Sequence, residues 1–180
     1  MSNAPSRGRN DPRRVVINDA SCLIDLRKVT LIEAMLQLPY SFVVTLPVAE
    51  NELLEFSEDD WIRFETAGLM IIDLDAERVT RAFELRAAYP VLSAEDCFSL
   101  SLAEATESCI LLTGDAGLRK AAESQKIETH GALWVIDELH RLQITSARVL
   151  IECLTTWRND PLVRLPRSLV ATRIRAFSRT

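Results

Sequence analysis

The sequence is short of histidine: only His130 and His140 occur among its 180 residues. A zinc site built on several imidazoles is therefore disfavoured, as is any chemistry needing more than one or two of them. Cysteine is scarce and scattered. Cys22, Cys97, Cys109 and Cys153 form no C-x-x-C pair, so they read as reduced, buried small hydrophobes and point to a cytoplasmic protein. No apolar run approaches the ~18 residues that cross a bilayer, so no membrane role is expected. The polar, arginine-rich start has no apolar segment behind it to act as a secretory signal. Three nucleotide and acyl-transfer motifs are missing too. No G-x-G-x-x-G follows an expected strand, which leaves a dinucleotide site poorly supported. No G-x-x-x-x-G-K-[ST] and no G-x-S-x-G occur, which excludes a P-loop NTPase and an α/β-hydrolase.

What remains is an ordinary globular composition, 48% hydrophobic and 26% charged. The length suits one domain, or one domain with appendages, and buries roughly 70% of the unfolded surface without staples. The net charge of −5 is unevenly spread. Residues 1–14 carry a formal +3 and residues 157–180 a formal +5, which leaves −13 on residues 15–156. Such a body meets a polyanion through its ends or through metal ions. The plainer account is that the charged ends are solvated faces.

Short β-branched or apolar runs at 15–17, 41–45, 69–72, 109–112 and 127–129 read as strands. Helical spacing fills 21–38, a segment from Pro47 through 56, 57–68, 75–88, 93–107, 116–124, 131–142, 145–157 and 166–178. Pro47 suits the first position of a helix. Ser57 with Asp60, and Ser93 with Asp96, have the spacing of capping boxes. Short strands alternating with helices predict an α/β fold: a parallel sheet of about five strands with helices on both faces, a three-layer α/β/α arrangement. The expected organisation is a basic tail over 1–14, a main domain over 15–142, and a helical, arginine-rich extension over 143–180. In that extension Arg164, Arg167, Arg173, Arg175 and Arg179 recur at helical spacings.

Ligands of a parallel α/β sheet sit outside the carboxyl ends of its strands. Four acids fall there. Asp19 follows the first strand, and Asp115 follows the fourth in Thr113-Gly114-Asp115. Asp96 opens the helix that enters the fourth strand, and Glu52 lies about a turn and a half into the helix after the second. Together they would repel one another and raise their own pKa values. A hard divalent cation, Mg²⁺ or Mn²⁺, would relieve that and could activate water for attack at phosphorus. Each acid also has a duller role, since Asp19, Asp96 and Asp115 can cap helices and Glu52 can be a surface residue.

Ile17-Asn18-Asp19-Ala20-Ser21-Cys22-Leu23-Ile24 resembles the opening of a PIN domain. Leu92-Ser93-Ala94-Glu95-Asp96, with Leu100, Leu102 and Ala103, is similar to the helix carrying that family's third acid. Leu111-Leu112-Thr113-Gly114-Asp115 resembles its T-G-D turn, and Pro47 to Glu52-Leu53 its spacing for the second acid, with Glu50 as a rival. The resemblance covers roughly 15–140. It implies a five-stranded parallel sheet and Mg²⁺- or Mn²⁺-dependent cleavage of RNA, with Asp19, Glu52, Asp96 and Asp115 as metal-binding catalytic acids. It often goes with a VapC-type toxin held by a small antitoxin protein. It also implies that Ser21 and Thr113 hold Asp19 or a water on the metal. Some members carry another acid just past the T-G-D aspartate, where this chain has Gly117 and Leu118. A homodimer is expected, because the family commonly pairs and the helices of 30–90 offer ample apolar surface. Trp61, Trp134 and Trp157 read as packing residues, and His130 as structural.

Two functions follow: a metal-dependent endoribonuclease, or a catalytically silent PIN-like binding module. A response-regulator-like domain fits less well. Asp73 follows a middle strand, but no lysine follows the fifth.

Overall fold

The computed structural model describes residues 13–179. Arg7 and Arg9 of the expected basic tail lie outside them. Among the described residues, four strands carry the β-branched and leucine-rich runs, β1 (Val15–Asn18), β2 (Ser41–Thr45), β3 (Met70–Ile72) and β4 (Ile110–Leu112), and a fifth, β5 (Glu128–His130), is a polar strand at the sheet's edge. All neighbours pair in parallel, in the order β3-β2-β1-β4-β5. The chain therefore winds outward from β1 to β3, then returns to β1's other side for β4 and β5. The reversal lies between β1 and β4, and a parallel sheet opens its crevice at the carboxyl ends of such a pair.

Among the described residues, ten helices flank the sheet: α1 (Ala20–Lys28), α2 (Ile32–Met35), α3 (Leu46–Asn51), α4 (Glu58–Ala67), α5 (Ala76–Ala88), α6 (Ala94–Ala105), α7 (Ala116–Ser124), α8 (Ala132–Arg141), α9 (Ala147–Asn159) and α10 (Arg167–Phe177). Strand residues alternate between the two faces, as the pleat demands. Val16, Phe42, Val44, Ile110 and Leu112 join one core with α1, α2, α8, α9 and α10. Ile17, Val43 and Leu111 join the other with α5, α6 and α7. The three-layer arrangement is thus a direct product of near-continuous apolar strands.

The helix expected over 21–38 is two. Thr30 adopts φ 55° and breaks it, and the amides of Val29 and Leu31 both turn back to the carbonyl of Leu26. The helix after β2 is also shorter than its apolar spacing implied: it ends at Asn51, so Glu52 is its C-cap. α4 opens with the Ser57–Asp60 capping box and closes on Gly68, whose φ of 111° is left-handed. α9 and α10 are not set apart from the domain expected to end at 142. Leu150, Leu154, Trp157, Val170 and Phe177 are buried in the same core as α1 and α8. The Trp157 indole donates to the carbonyl of Asp25 at 2.9 Å, and Arg173 makes a forked pair with Asp137 of α8. Among the described residues, no helix is long and apolar enough to cross a membrane.

Candidate functional site

Asp19 sits where β1 ends and α1 begins. Its amide continues the sheet by donating to the carbonyl of Leu112 at 3.0 Å, which places its side chain at the β1/β4 reversal. It is only 3% exposed. Its φ and ψ are those of an N-cap, yet its carboxylate caps no amide of α1. Instead Oδ2 accepts hydrogen bonds from the Ser21 hydroxyl at 2.6 Å and the Thr113 hydroxyl at 2.9 Å. Those hydroxyls accept in turn: Ser21 Oγ from the amide of Gly114, and Thr113 Oγ1 from the amide of Asp115, both at 2.9 Å. The Thr113-Gly114-Asp115 turn is thereby stitched to Asp19 through two side chains. Gly114 makes this approach possible, because a Cβ there would lie 3.2 Å from Ser21 Oγ.

Asp96 and Asp115 do cap helices. Asp96 Oδ2 accepts from the amide of Ser93 at 2.8 Å, and Ser93 Oγ accepts from the amide of Asp96 at 2.9 Å. Asp115 Oδ1 accepts from the amide of Leu118 at 2.7 Å. Capping anchors one oxygen of each. The other has no protein donor among the described residues.

Electrostatics ties the four expected acids together. Burial raises Asp19, and the charge of Asp96 raises it further against the pull of its two hydroxyl donors. Burial also raises Asp96, with Asp115 and Glu95 adding to it. Glu52, half-buried at the end of α3, is pushed up to about 7 by burial and by Asp19, Asp96 and Glu95. Its rival Glu50 is exposed. None of the four expected acids enters an ion pair among the described residues. Three buried polar atoms, Asn18 Oδ1, Thr45 Oγ1 and Ser99 Oγ, find no hydrogen-bond partner among the described residues. They belong to the residue before Asp19, the last residue of β2, and a residue one helical turn beyond Asp96.

One participant was not picked out from the sequence. Glu95 adds a fifth negative charge and is held to α3 by the Asn51 amide at 2.9 Å. It was visible only as part of a capping box. The hydroxyls on Asp19 are the two that the resemblance implied, Ser21 and Thr113, the second reaching across 94 residues of chain.

The donor set suits a hard divalent cation: carboxylates only, no thiolate, no imidazole, and mutual repulsion that a cation would relieve. A tight cage is not present. Among the described residues, no three His, Cys, Asp or Glu side chains stand close enough to hold a metal ion as they are. The expected convergence to metal-bridging distance is therefore not seen. Capping pins Asp96 and Asp115 to their helix starts, and Ser21 and Thr113 pin Asp19.

Residues 15–179 match a family model described as a PIN domain, DUF3368. A search of curated proteins found no match. Among solved structures, the fold is similar to that of a PilT N-terminus domain protein from the hyperthermophilic archaeon Sulfolobus solfataricus P2. The two are 10% identical, the TM-score is 0.47, and the match covers 70% of this chain and 94% of that one.

Proposed function

The chain belongs to the PIN-domain family, whose fold suits nucleases, and from that premise we propose that it is a Mg²⁺- or Mn²⁺-dependent endoribonuclease. One observation carries the reading. Four carboxylates from four segments are coupled by charge: burial and neighbouring acids raise Asp19, Glu52 and Asp96, Asp115 adds to the rise of Asp96, and none of the four enters an ion pair with lysine or arginine among the described residues. Asp19, Glu52, Asp96 and Asp115 would hold the ion. When bound, the ion would supply a water more acidic than bulk water and a positive charge beside the phosphorus under attack. The chain's own part is orientation. Ser21 and Thr113 fix the plane of the Asp19 carboxylate, and the helix starts fix Asp96 and Asp115. Held this way, the acids need little rearrangement as charge develops. A small antitoxin covering the acids is the partner that goes with this reading, as for a VapC-type toxin.

The open spacing favours a second reading, a PIN-like module that binds without turnover. Asp96→Asn separates the two. Asn caps about as well as Asp, so the variant should fold with an unchanged circular dichroism spectrum. Mg²⁺- or Mn²⁺-dependent cleavage of a labelled RNA should drop by orders of magnitude. Equal cleavage by the folded variant would return Asp96 to capping alone. Absence of cleavage in the unaltered chain with either metal would favour the silent module.

A further inference from the structure

A groove of about 650 Å³ runs between the start of α8, the segment leading into α10, and the turn after β4. One end is formed by Thr113 and Gly114, the turn that carries Asp115 into the acid cluster; the other reaches Arg164 and Leu169. It therefore leads directly away from the candidate metal site. Its charge is opposite to that of the body. Arg119, Arg164 and Arg173 line it against Asp25 and Asp137, a formal +1 where residues 15–156 carry −13. The three arginines are not equivalent. Arg119 is fixed, donating to Thr113 O at 2.9 Å and Thr129 Oγ1 at 2.8 Å. Arg173 is spent on Asp137. Arg164 is exposed and makes no hydrogen bond or ion pair among the described residues. The groove also holds a π surface. His130 and Trp134, both part-exposed, stack with centroids 4.9 Å apart and planes 14° apart.

We infer that this groove is a subsite for single-stranded nucleic acid, holding the strand beside the scissile bond with Arg164 on a backbone phosphate and the His130–Trp134 pair under an unpaired base. The identity of the strand as RNA rests on the ribonuclease reading; the groove itself does not. Its volume is that of a small-ligand pocket, which takes a nucleotide or two and no duplex. Aromatic stacking needs a base free of its partner. The sequence alone assigned His130 and Trp134 to structure and packing. Trp134 does pack against the core, but both rings are part-exposed and stack in the groove that also reaches Thr113 and Gly114.

The test uses the full chain and a fluorescein-labelled RNA dodecamer containing one 4-thiouridine, in EDTA so that no strand is cut. Arg164→Glu should weaken binding about tenfold, the scale of a lost charge-assisted contact. It should also lower the salt slope by roughly 0.7, one phosphate on a single strand. Arg148→Glu, at an exposed position of α9, should change neither. Photocrosslinks should map to peptides containing His130, Trp134 or Arg164. Unchanged affinity and slope in Arg164→Glu, or crosslinks confined to other peptides, overturn the subsite. Displacement of the RNA by an oligoglutamate of equal length at equal concentration would make the groove a protein-docking surface and also overturn it. Cleavage with Mn²⁺ is scored separately. Cleavage with no Arg164 dependence sinks the subsite alone; Arg164-dependent binding without cleavage sinks the nuclease reading alone.

Discussion

Glu52 offers the sharpest test of the acid cluster. Its carboxyl is pushed from 4.5 up to about 7 by burial and by Asp19, Asp96 and Glu95. A carboxyl raised in the folded state binds its proton more tightly there than in the unfolded chain. Between pH 4.5 and 7 the folded state holds the extra proton, so stability falls as pH rises through that window. The penalty is absent below about pH 4 and fully developed above about 7. At ~1.4 kcal/mol per unit the shift bounds it near ~3 kcal/mol. Glu52 is only half-buried, and water screens its neighbours, which brings the expected value to about 1–2 kcal/mol. Glu52→Gln keeps the shape and removes the charge. In EDTA at pH 8 it should melt higher than the unaltered chain, by about 2–4 °C per kcal/mol for a domain of this size. At pH 4.5 the two should coincide. Millimolar Mn²⁺ should then raise the melting temperature of the unaltered chain at pH 8 more than that of the variant, because the ion relieves the same repulsion. Parallel melting curves from pH 4.5 to 8, with equal response to Mn²⁺, would refute the coupling of Glu52 to the cluster.

Cutting the chain after Asn159 removes Val163, Val170 and Phe177 from the main core. Each buried side chain of this kind contributes ~1.5–3 kcal/mol, so thermal melting should show a loss of several kcal/mol, whereas a separable extension would leave the melting temperature unchanged. The proposed homodimer has a candidate face on α5 and α6. There Phe83 is 63% exposed and packs edge-on against Phe98 with centroids 6.2 Å apart, and Val91, in the connection between the two helices, is 86% exposed. Light scattering at tens of micromolar should give twice 20.3 kDa for the unaltered chain and 20.3 kDa for Phe83→Glu, and a monomeric unaltered chain would end the proposal.

Much of the sheet was legible because its strands are short, apolar and closed by polar residues. Val15–Asn18 is followed at once by an aspartate, Ser41–Thr45 leads into a helix with Pro47 in its first turn, and Ile110–Leu112 runs into Thr-Gly-Asp. Parallel strands buried on both faces must read as continuous apolar runs, and these do. Thr30 was not legible: nothing in a threonine advertises a positive φ, and the apolar spacing on either side of it continues unbroken. The C-terminal helices were misleading in another way. Their arginines drew attention to a charged face, while Leu150, Leu154, Trp157, Val170 and Phe177 supply a second, apolar face that fixes them to the domain.

The site was legible to the extent that capping and chemistry can be told apart, and a pair of matching sequences shows how far that goes. Ser57-x-x-Asp60 and Ser93-x-x-Asp96 both fold into complete capping boxes. Locally they are the same device. Asp60 is buried and sits between Arg27 and Arg63, which donate to it at 2.9 and 2.7 Å. Its amide bond from Ser57 and its arginine partners hold its carboxyl below the usual range. Asp96 has the same cap and no such partner, with Asp19, Asp115 and Glu95 as its charged neighbours, and burial and repulsion raise it. A fold selected for stability alone pairs its buried carboxylates, as at Asp60, because an unpaired charge out of water is expensive. That expense is tolerated at Asp96 and Asp19 and concentrated at the one edge where the sheet reverses. Arginine is plentiful in the chain, so the lack of one among the described partners of these acids is not a matter of supply. The asymmetry supports a positive charge that arrives from outside the chain, and Asp96→Asn and Glu52→Gln measure its two consequences, on turnover and on stability.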